Sequence, residues 1–384
     1  MGSQVLTPEE LLHRASGLVP VLKERAAQTE EIRRIPDESV RDMLSSELLR
    51  ICVPQRFGGL DVDYGLMLEI GVQLGAGCAS TSWCYCIWSA HSWLVGHWPL
   101  EAQKEVFGDG PDALCSSSLN PGKSTLEKKP GGFRVSGRWE FSSGCDAASW
   151  VMVGAAGPDG QVWLLVPRLD YEIVDTWFVS GLKGTGSKDI VIKDAFVPQH
   201  RIVNRDRAGD QDLTGWEIHQ SSRYRMPLVV LLGWDLVAPM LGIAVGMIEE
   251  FTGLLTGTSG QGRTADSEGV QLRLSQASAE VDAALALMRS DLKEMFQKAG
   301  AGEKFSTLER ARFRRNKAFI AQQCLNSVNR LFELSGGHAI FESGSAQRFH
   351  RDMQAAVRRD GFTMELGGLQ YGRVALGLEP DARI

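Results

Sequence analysis

The feature that most constrains the fold of this chain is a change of hydrophobic periodicity that occurs twice along its length. In the first and last thirds, apolar residues recur at the three- and four-residue spacing of amphipathic helices. Between them the pattern changes to short alternating runs, such as 150–153 and 162–166, separated by turns rich in glycine and proline. We therefore expect an α+β protein that is mainly α, with helical domains at 1–112 and 204–384 and a small β domain at 113–203.

Local signals place individual helices. Residues 7–10 (TPEE) form a capping-box pattern with proline at the first helical position, which predicts the start of a helix. A second helix is expected to begin near Pro36 and to end before Pro54. The stretch 66–96 is rich in Ala, Gly, Ser and Trp and is expected to form buried helices, because small residues let helices approach closely. Further helical stretches are predicted at 228–256, 268–298, 305–335 and 345–377.

Composition argues against several classes of function. The chain has 384 residues, 43% of them hydrophobic, and a formal net charge of −6, so it lacks the basic stripe that nucleic-acid binding needs. No secretory leader is evident and no apolar run approaches the roughly 20 residues of a membrane span, which predicts a cytoplasmic protein without a membrane partner. The seven scattered cysteines predict reduced thiols rather than a disulfide framework, and none of them has the spacing of a metal site.

One run, residues 181–198 (GLKGTGSKDIVIKDAFVP), joins a loop rich in glycine and hydroxyl groups to an alternating strand. Such a loop can offer backbone N–H groups and the hydroxyls of Thr185 and Ser187 to the polar edge of a cofactor. The chain carries neither a complete P-loop nor a glycine-rich dinucleotide fingerprint after a strand. An oxidoreductase built in this way must receive its electrons from its substrate or from another protein.

Three other segments accompany that run in the order and spacing of the acyl-CoA dehydrogenase superfamily, which the chain resembles over nearly its whole length. They are 54–59 (PQRFGG), 141–146 (FSSGCD), and Gly336-Gly337 followed by Arg351-Asp352. The resemblance implies an N-terminal helical domain, a small central β-barrel or sandwich and a C-terminal four-helix bundle. It also implies a flavin cofactor and a homotetramer built through the C-terminal bundle.

Two branches of this superfamily must be distinguished, the acyl-CoA dehydrogenases and the oxygenase components of two-component flavin monooxygenases. The run 141–146 and the tryptophan-rich stretch 83–98 resemble the oxygenases. That resemblance implies that a separate NAD(P)H flavin reductase supplies reduced FMN or FAD as a diffusible cofactor, with no metal. The reduced flavin would react with O2 to give a C4a-hydroperoxyflavin, which hydroxylates a phenolic or indolic substrate.

The resemblance also indicates candidate site residues. His91 is the substrate-side candidate, because deprotonation of a phenol needs a base of near-neutral pKa. The aromatic residues predicted to wall the substrate pocket are Trp83, Trp88 and Trp93. Those predicted to contact the flavin are Ser116, Ser118, Ser142, Ser143, Thr185, Ser187, Gly336 and Gly337, together with Arg263 reaching from a neighbouring subunit. A donor at flavin N5, from Ser142 or Ser143, would stabilise the hydroperoxide, so Ser143 is also a catalytic candidate.

The C-terminal match departs from both branches. Related oxygenases place a second histidine at the position of Arg359, and dehydrogenases place a glutamate base at the position of Asp360. Arg359 cannot act as a neutral base, but it could bind an anionic substrate group or stabilise a phenolate. Asp360 could act as a base. Two alternatives therefore stay open, an acyl-CoA dehydrogenase with Asp360 as its base and a catalytically silent binding subunit.

Overall fold

The computed structural model describes residues 6–60, 62–205, 215–256, 265–359 and 361–381. Within these ranges helices occupy both ends of the chain and strands occupy its middle, in the order that the periodicity predicts. Two of the candidate site residues, Arg263 and Asp360, lie outside the described residues.

The N-terminal part is helical. Its helices are α1 (Pro8–Glu31), α2 (Asp37–Ser45), α3 (Tyr64–Gly77), α4 (Ala79–Val95) and α5 (Leu100–Phe107). The capping box that predicted the start of α1 is present, because the Thr7 hydroxyl accepts a hydrogen bond from the Glu10 N–H at 3.2 Å and the Glu10 carboxylate accepts one from the Thr7 N–H at 2.7 Å. The second helix is shorter than expected, because the chain turns at Glu47, whose φ of 61° is incompatible with a continuing helix.

The strands of the described chain form two four-stranded sheets packed face to face. The strands are β1 (Cys115–Ser118), β2 (Lys123–Lys129), β3 (Gly132–Ser142), β4 (Trp150–Gly157), β5 (Gly160–Pro167), β6 (Glu172–Val174), β7 (Lys188–Pro198) and β8 (Ile202–Asn204). One sheet has the order β1-β4-β5-β8 and the other β2-β3-β7-β6, and β1 and β4 are a parallel pair. Side chains such as Trp139, Val151 and Ile190 fill a separate apolar core between the sheets.

The C-terminal part is again helical. Its helices are α6 (Gly215–His219), α7 (Leu228–Leu231), α8 (Trp234–Thr256), α9 (Glu268–Gly300), α10 (Thr307–Leu334), α11 (Ser345–Ala356) and α12 (Met364–Ala375). Helix α8 lies at the centre, where it packs against α3 and α4 of the N-terminal part and against α9, α10 and α11. The main apolar core is therefore shared by both helical parts. The exact residues at which the three predicted domains divide stay a prediction.

Two predicted helical stretches are interrupted. The stretch 345–377 is divided into α11 and α12, and Gly361 in the connection has a φ of 94°. The stretch 228–256 is divided into α7 and α8 at Gly233, which has a φ of 90°. A helix cannot continue through a residue in this left-handed region. The apolar spacing of the sequence continues across both breaks, so the sequence pattern did not predict them. The first break places Arg359 in a turn instead of on a helix.

The expectation that no apolar run approaches the length of a membrane span was wrong for α8. This helix, Trp234–Thr256, is long and apolar enough to cross a bilayer, and it is the one such helix in the part of the chain that the structure describes. However, 67% of its most apolar window is buried inside the protein. Contacts with helices on several sides account for its composition, as expected of a central core helix.

Candidate active site

Helix α4 carries the histidine and tryptophan candidates, and every residue from Ala79 to Val95 is buried. Because successive helical residues are about 100° apart, Trp88 and Trp83 lie about 60° and about 80° from His91 around the axis. Trp93 lies about 160° away by the same count. The structure therefore brings Trp83 and Trp88 to the side of the helix that carries His91 and places Trp93 on the opposite side.

The surroundings of Trp93 match this placement. Its ring makes edge contacts with the rings of Tyr64, at 5.8 Å between centroids, and His97, at 4.7 Å. Its indole N–H donates to the carbonyl oxygen of Arg223 at 3.3 Å. These contacts account for Trp93 as a core residue, and its role as a pocket wall stays a prediction.

The hydrogen bonds of His91 define its tautomer. Nδ1 lies 2.7 Å from the carbonyl oxygen of Cys115, which can only accept, so Nδ1 carries the hydrogen. In the neutral ring Nε2 then holds the lone pair, and the Ser117 hydroxyl lies 3.1 Å from it as the donor. Burial lowers the pKa of His91 to about 4, the positive charge of Arg359 acts in the same direction, and the bond to Cys115 opposes both. At neutral pH His91 is therefore an uncharged base whose basic atom is Nε2.

Sequence reasoning missed Ser117, although it selected the neighbours Ser116 and Ser118. Side chains alternate along β1, so Ser117 points to the face opposite to both, toward α4. On the other face, the Ser142 hydroxyl donates to Ser116 Oγ at 3.1 Å, and the Ser118 hydroxyl donates to the Glu140 carbonyl at 2.7 Å. The alternation of a strand predicts that Ser117 lies on a different face from Ser116 and Ser118. The sequence does not indicate which of the two faces meets His91.

The remaining hydroxyl candidates lie together at the end of β3. Ser142 is fully buried, whereas Ser143 keeps 7% of its surface exposed. Ser143 Oγ lies 2.6 Å from Ser187 Oγ, and Ser187 Oγ lies 2.7 Å from Thr185 Oγ1. The structure thus joins the two predicted flavin segments, but it places Thr185 and Ser187 behind Ser143. Ser143 is the more accessible of the two serines that the sequence left open, and its contact with the flavin stays a prediction.

Trp88 connects this cluster of hydroxyl side chains to α4. Its indole N–H donates to the carbonyl oxygen of Gly144 at 3.3 Å. Gly144 has a φ of 70°, and a Cβ there would lie 2.6 Å from the indole nitrogen, so both conformation and space require glycine. The Gly144 N–H donates to the Thr185 carbonyl at 2.8 Å. The helix that carries His91 and the turn that carries Ser143 are therefore held together by direct contacts.

Two buried ionisable residues that sequence reasoning did not select lie near Arg359. Asp235 and Lys317 are each 8% exposed. Burial raises the pKa of Asp235 and lowers the pKa of Lys317 to about 8, and the charge of Arg359 favours ionised Asp235 and opposes charged Lys317. Lys317 Nζ donates to the Leu232 carbonyl at 2.6 Å. The only signal in the sequence was a charged residue at a helical position where buried residues are expected. Because Asp235 and Lys317 are 82 positions apart in the sequence, no local pattern links them.

The two glycines of the predicted C-terminal motif do not contact these site residues within one chain. Gly336 and Gly337 are exposed at the end of α10, and a Cβ at either would meet nothing within 4 Å. Neither position needs glycine for space, and Gly336 alone has a positive φ, 69°. Their predicted contact with a flavin stays a prediction.

The donor set of the site fits the polar edge of a flavin ring. Hydroxyls, backbone amides and a neutral imidazole are suited to an uncharged heteroaromatic edge that both donates and accepts hydrogen bonds. Among the described residues, no group of three or more His, Cys, Asp or Glu side chains could hold a metal ion. The residues present therefore agree with the predicted flavin.

Comparison with known proteins identifies the family. The acyl-CoA dehydrogenase N-terminal domain matches residues 18–107, and the acyl-CoA dehydrogenase C-terminal domain matches residues 235–362. The flavin-dependent monooxygenase oxygenase subunit HsaA of Mycobacterium tuberculosis is 33% identical over 383 residues, which cover 97% of this chain and 96% of that protein. The FADH2-dependent resorcinol hydroxylase oxygenase component of a Rhizobium species is 34% identical, with 97% and 95% covered.

A solved structure agrees with these sequence relatives. The crystal structure of 3-HSA hydroxylase from Rhodococcus sp. RHA1 matches with a TM-score of 0.92 at 31% identity, covering 97% of this chain and 98% of that one. The predicted fold and the choice between the two branches are confirmed. The chain belongs to the acyl-CoA dehydrogenase family, among the oxygenase subunits of flavin-dependent monooxygenases.

Proposed function

We propose that this protein is the oxygenase component of a two-component monooxygenase that hydroxylates an aromatic, phenolic or indolic substrate. When bound, reduced flavin would supply the two electrons that activate O2, so that one oxygen atom of O2 is transferred to the ring and the other leaves as water. The observation that carries the proposal is the neutral, buried imidazole of His91, whose Nε2 lies 3.1 Å from the Ser117 hydroxyl. Ser117 is linked to the predicted flavin segments through its neighbour in β1, Ser116, whose Oγ accepts a hydrogen bond from Ser142 at 3.1 Å.

His91 would act on the hydroxyl or N–H group of the substrate. We propose that a substrate donor binds Nε2 in place of the Ser117 hydroxyl, whose hydrogen can turn to another acceptor. Accepting that hydrogen bond raises the electron density of the aromatic ring, which favours its attack on an electrophilic oxygen. The bond from Nδ1–H to the Cys115 carbonyl selects the neutral tautomer in which Nε2 holds the lone pair, and it fixes the ring plane.

Arg359 would take the place of the second histidine found in related oxygenases. Its guanidinium makes no hydrogen bond or ion pair with the described part of the chain, although its charge acts on His91, Asp235 and Lys317. The charge of Arg359 lies close enough to His91 to act on this neutral base. We propose that it stabilises a phenolate or an anionic group of the substrate.

The partners follow from the same assignment. The names of the relatives as an oxygenase subunit and an oxygenase component support a separate reductase, which we propose uses NAD(P)H. We further propose a homotetramer built through the C-terminal helices, in which Gly336, Gly337 and Arg263 reach a neighbouring flavin. Exposed Leu366 (44%), Leu369 (51%) and Leu376 (79%) on and after α12 supply apolar surface for such contacts.

The test combines the purified protein with a flavin reductase, NADH, free FMN or FAD and a panel of phenols and indoles under heavy-isotope O2. The expected result is a hydroxylated product that contains one heavy oxygen atom, and no product when the oxygenase is omitted. Rapid bleaching of oxidised flavin by an acyl-CoA, without oxygen incorporation, would establish the dehydrogenase alternative instead. Failure to bind flavin in either redox state would indicate the silent subunit.

A further inference from the structure

A chain of three hydroxyls leads from the candidate flavin contact into the protein. Ser143 Oγ lies 2.6 Å from Ser187 Oγ, and Ser187 Oγ lies 2.7 Å from Thr185 Oγ1. The chain ends where the Thr185 hydroxyl donates to the carbonyl oxygen of Leu182 at 2.8 Å. Of the three, only Ser143 has more than 4% of its surface exposed, so the chain opens to the site at that end.

The direction of these hydrogen bonds follows from counting hydrogens. Each hydroxyl has one hydrogen, and a carbonyl oxygen can only accept. Thr185 uses its hydrogen on Leu182, so the contact between Thr185 and Ser187 needs the hydrogen of Ser187. The contact between Ser187 and Ser143 then needs the hydrogen of Ser143. Ser143 Oγ therefore has no hydrogen left to donate toward the site and presents lone pairs there.

The inner end of the hydroxyl chain lies at Leu182, which contacts Asp352 of the predicted C-terminal motif. Leu182 has a φ of 52°, and its N–H donates to the buried carboxylate of Asp352 at 2.6 Å. Gly181 lies so close to α11 that a Cβ there would be 2.0 Å from the Arg351 carbonyl oxygen. These contacts attach the Leu182 segment to the helical bundle, and the Leu182 carbonyl itself also accepts from the Thr185 N–H at 3.1 Å and from the Trp177 indole N–H at 3.0 Å.

We propose that Thr185 and Ser187 are positioning residues that hold Ser143 as a hydrogen-bond acceptor and so make the site selective for reduced flavin. Reduced flavin carries a hydrogen on N5, which an acceptor binds, whereas oxidised flavin has a lone pair on N5 that an acceptor repels. This inference rests on the proposed function, and it reverses the expectation that Ser143 donates to N5. A mismatched buried polar pair weakens binding by on the order of tenfold or more.

The test measures dissociation constants for one flavin in its oxidised and its dithionite-reduced states, by anaerobic titration, and compares their ratio among variants. In Ser187→Ala, Ser143 loses its acceptor and becomes free to donate outward. In Thr185→Val, Ser187 loses its acceptor and becomes free to donate to Ser143. In both variants we expect the ratio of oxidised to reduced dissociation constants, on the order of ten or more in the wild type, to fall toward one.

Two matched variants serve as controls. Thr185→Ser keeps the hydroxyl and should keep the wild-type ratio. Ser124→Ala removes a different hydroxyl of the β domain, one that donates to the Pro121 carbonyl at 2.7 Å, and should also keep it. Retained binding of reduced flavin by Ser187→Ala and Thr185→Val shows that they are folded.

The outcomes distinguish this inference from the function on which it rests. A wild-type ratio near one, or an unchanged ratio in both Ser187→Ala and Thr185→Val, would overturn the hydroxyl-chain inference while leaving the monooxygenase assignment intact. Loss of selectivity in only one of the two variants would also overturn it, because the chain needs both hydroxyls. Absence of binding of either flavin state by the wild type would overturn both the inference and the proposed function.

Discussion

At the scale of single residues, His91 is uncharged because charging it would require burying a cation with little solvation. Its pKa of about 4 lies below the ordinary value of 6.5, and the Cys115 carbonyl only partly opposes this shift. The same burial that lowers the basicity of the ring keeps Nε2 unprotonated over the whole physiological range. A base that is always available, although weak, suits the polarisation of a phenol whose hydrogen bond strengthens as the ring reacts.

Replacement of His91 tests this role. We expect His91→Ala to keep flavin binding and oxygen uptake but to lower the rate of hydroxylation by about a hundredfold, because one positioned base is lost. The oxygen consumed should then appear as hydrogen peroxide, so the ratio of product formed to oxygen consumed is the decisive measurement. The exposed His13 provides a control, and His13→Ala should leave the ratio unchanged. A wild-type ratio in His91→Ala would remove His91 from the reaction.

At the scale of elements, the crossing of α3 and α8 brings the two helical parts together through glycine. A Cβ at Gly242 would lie 2.5 Å from the Val72 carbonyl oxygen and 2.6 Å from Gly75 Cα. At Gly75, a Cβ would lie 2.9 Å from Gly242 Cα. These distances leave no room for a side chain, so the spacing between the helices depends on both glycines.

We expect Gly242→Ala to lower the free energy of unfolding by about 1–3 kcal/mol, because the added methyl group forces backbones apart in a packed core. Gly253 lies on the same helix with nothing within 4 Å of its Cβ position. Gly253→Ala should therefore be neutral or stabilising by about 0.5–1 kcal/mol, because alanine favours a helix. Urea unfolding of both variants measures the difference, and equal stabilities would show that the crossing tolerates a methyl group.

At the scale of the whole molecule, two buried histidines link stability to pH. The pKa of His91 is about 4 and that of His97 about 3, and burial is the main cause for both. Between the ordinary pKa of 6.5 and these lowered values, the unfolded chain binds protons that the folded chain does not. Their contribution to stability is therefore complete above about pH 6.5 and falls as the pH decreases through the lowered values.

Each of these histidines contributes a slope of at most about 1.4 kcal/mol per pH unit in this window. Asp352 and Asp291, whose pKa values burial raises to about 7 and about 6, contribute in the opposite direction, so the comparison between variants is decisive. Free energies of unfolding at a series of pH values between 7.5 and 4.5, on the order of half a unit apart, give the slope. His97→Gln should remove the contribution of one histidine from that slope. His13→Gln, at an exposed position, should leave the slope unchanged. A variant without His97 that keeps the full wild-type slope would contradict this account.

Electron supply is also a property of the whole molecule. The sequence lacks a glycine-rich turn from strand to helix that could bind the pyrophosphate of a dinucleotide. We therefore expect the isolated protein with flavin to oxidise NADH and NADPH no faster than free flavin does. Adding a flavin reductase should restore turnover until the oxygenase is saturated. Rapid NADH oxidation by the isolated protein, stimulated by the substrate, would rule out the two-component assignment.

The sequence by itself determined the order of helices and strands, the family and the segments that form the site, because periodicity, turns and short motifs are local properties of the chain. Only the tertiary structure decided how these segments meet. It selected Nε2 of His91 as the basic atom, brought Ser117 to that atom, and placed Thr185 and Ser187 behind Ser143. Tautomers and hydrogen-bond directions depend on partners that are distant in sequence, such as Cys115 for His91, so no local pattern can encode them.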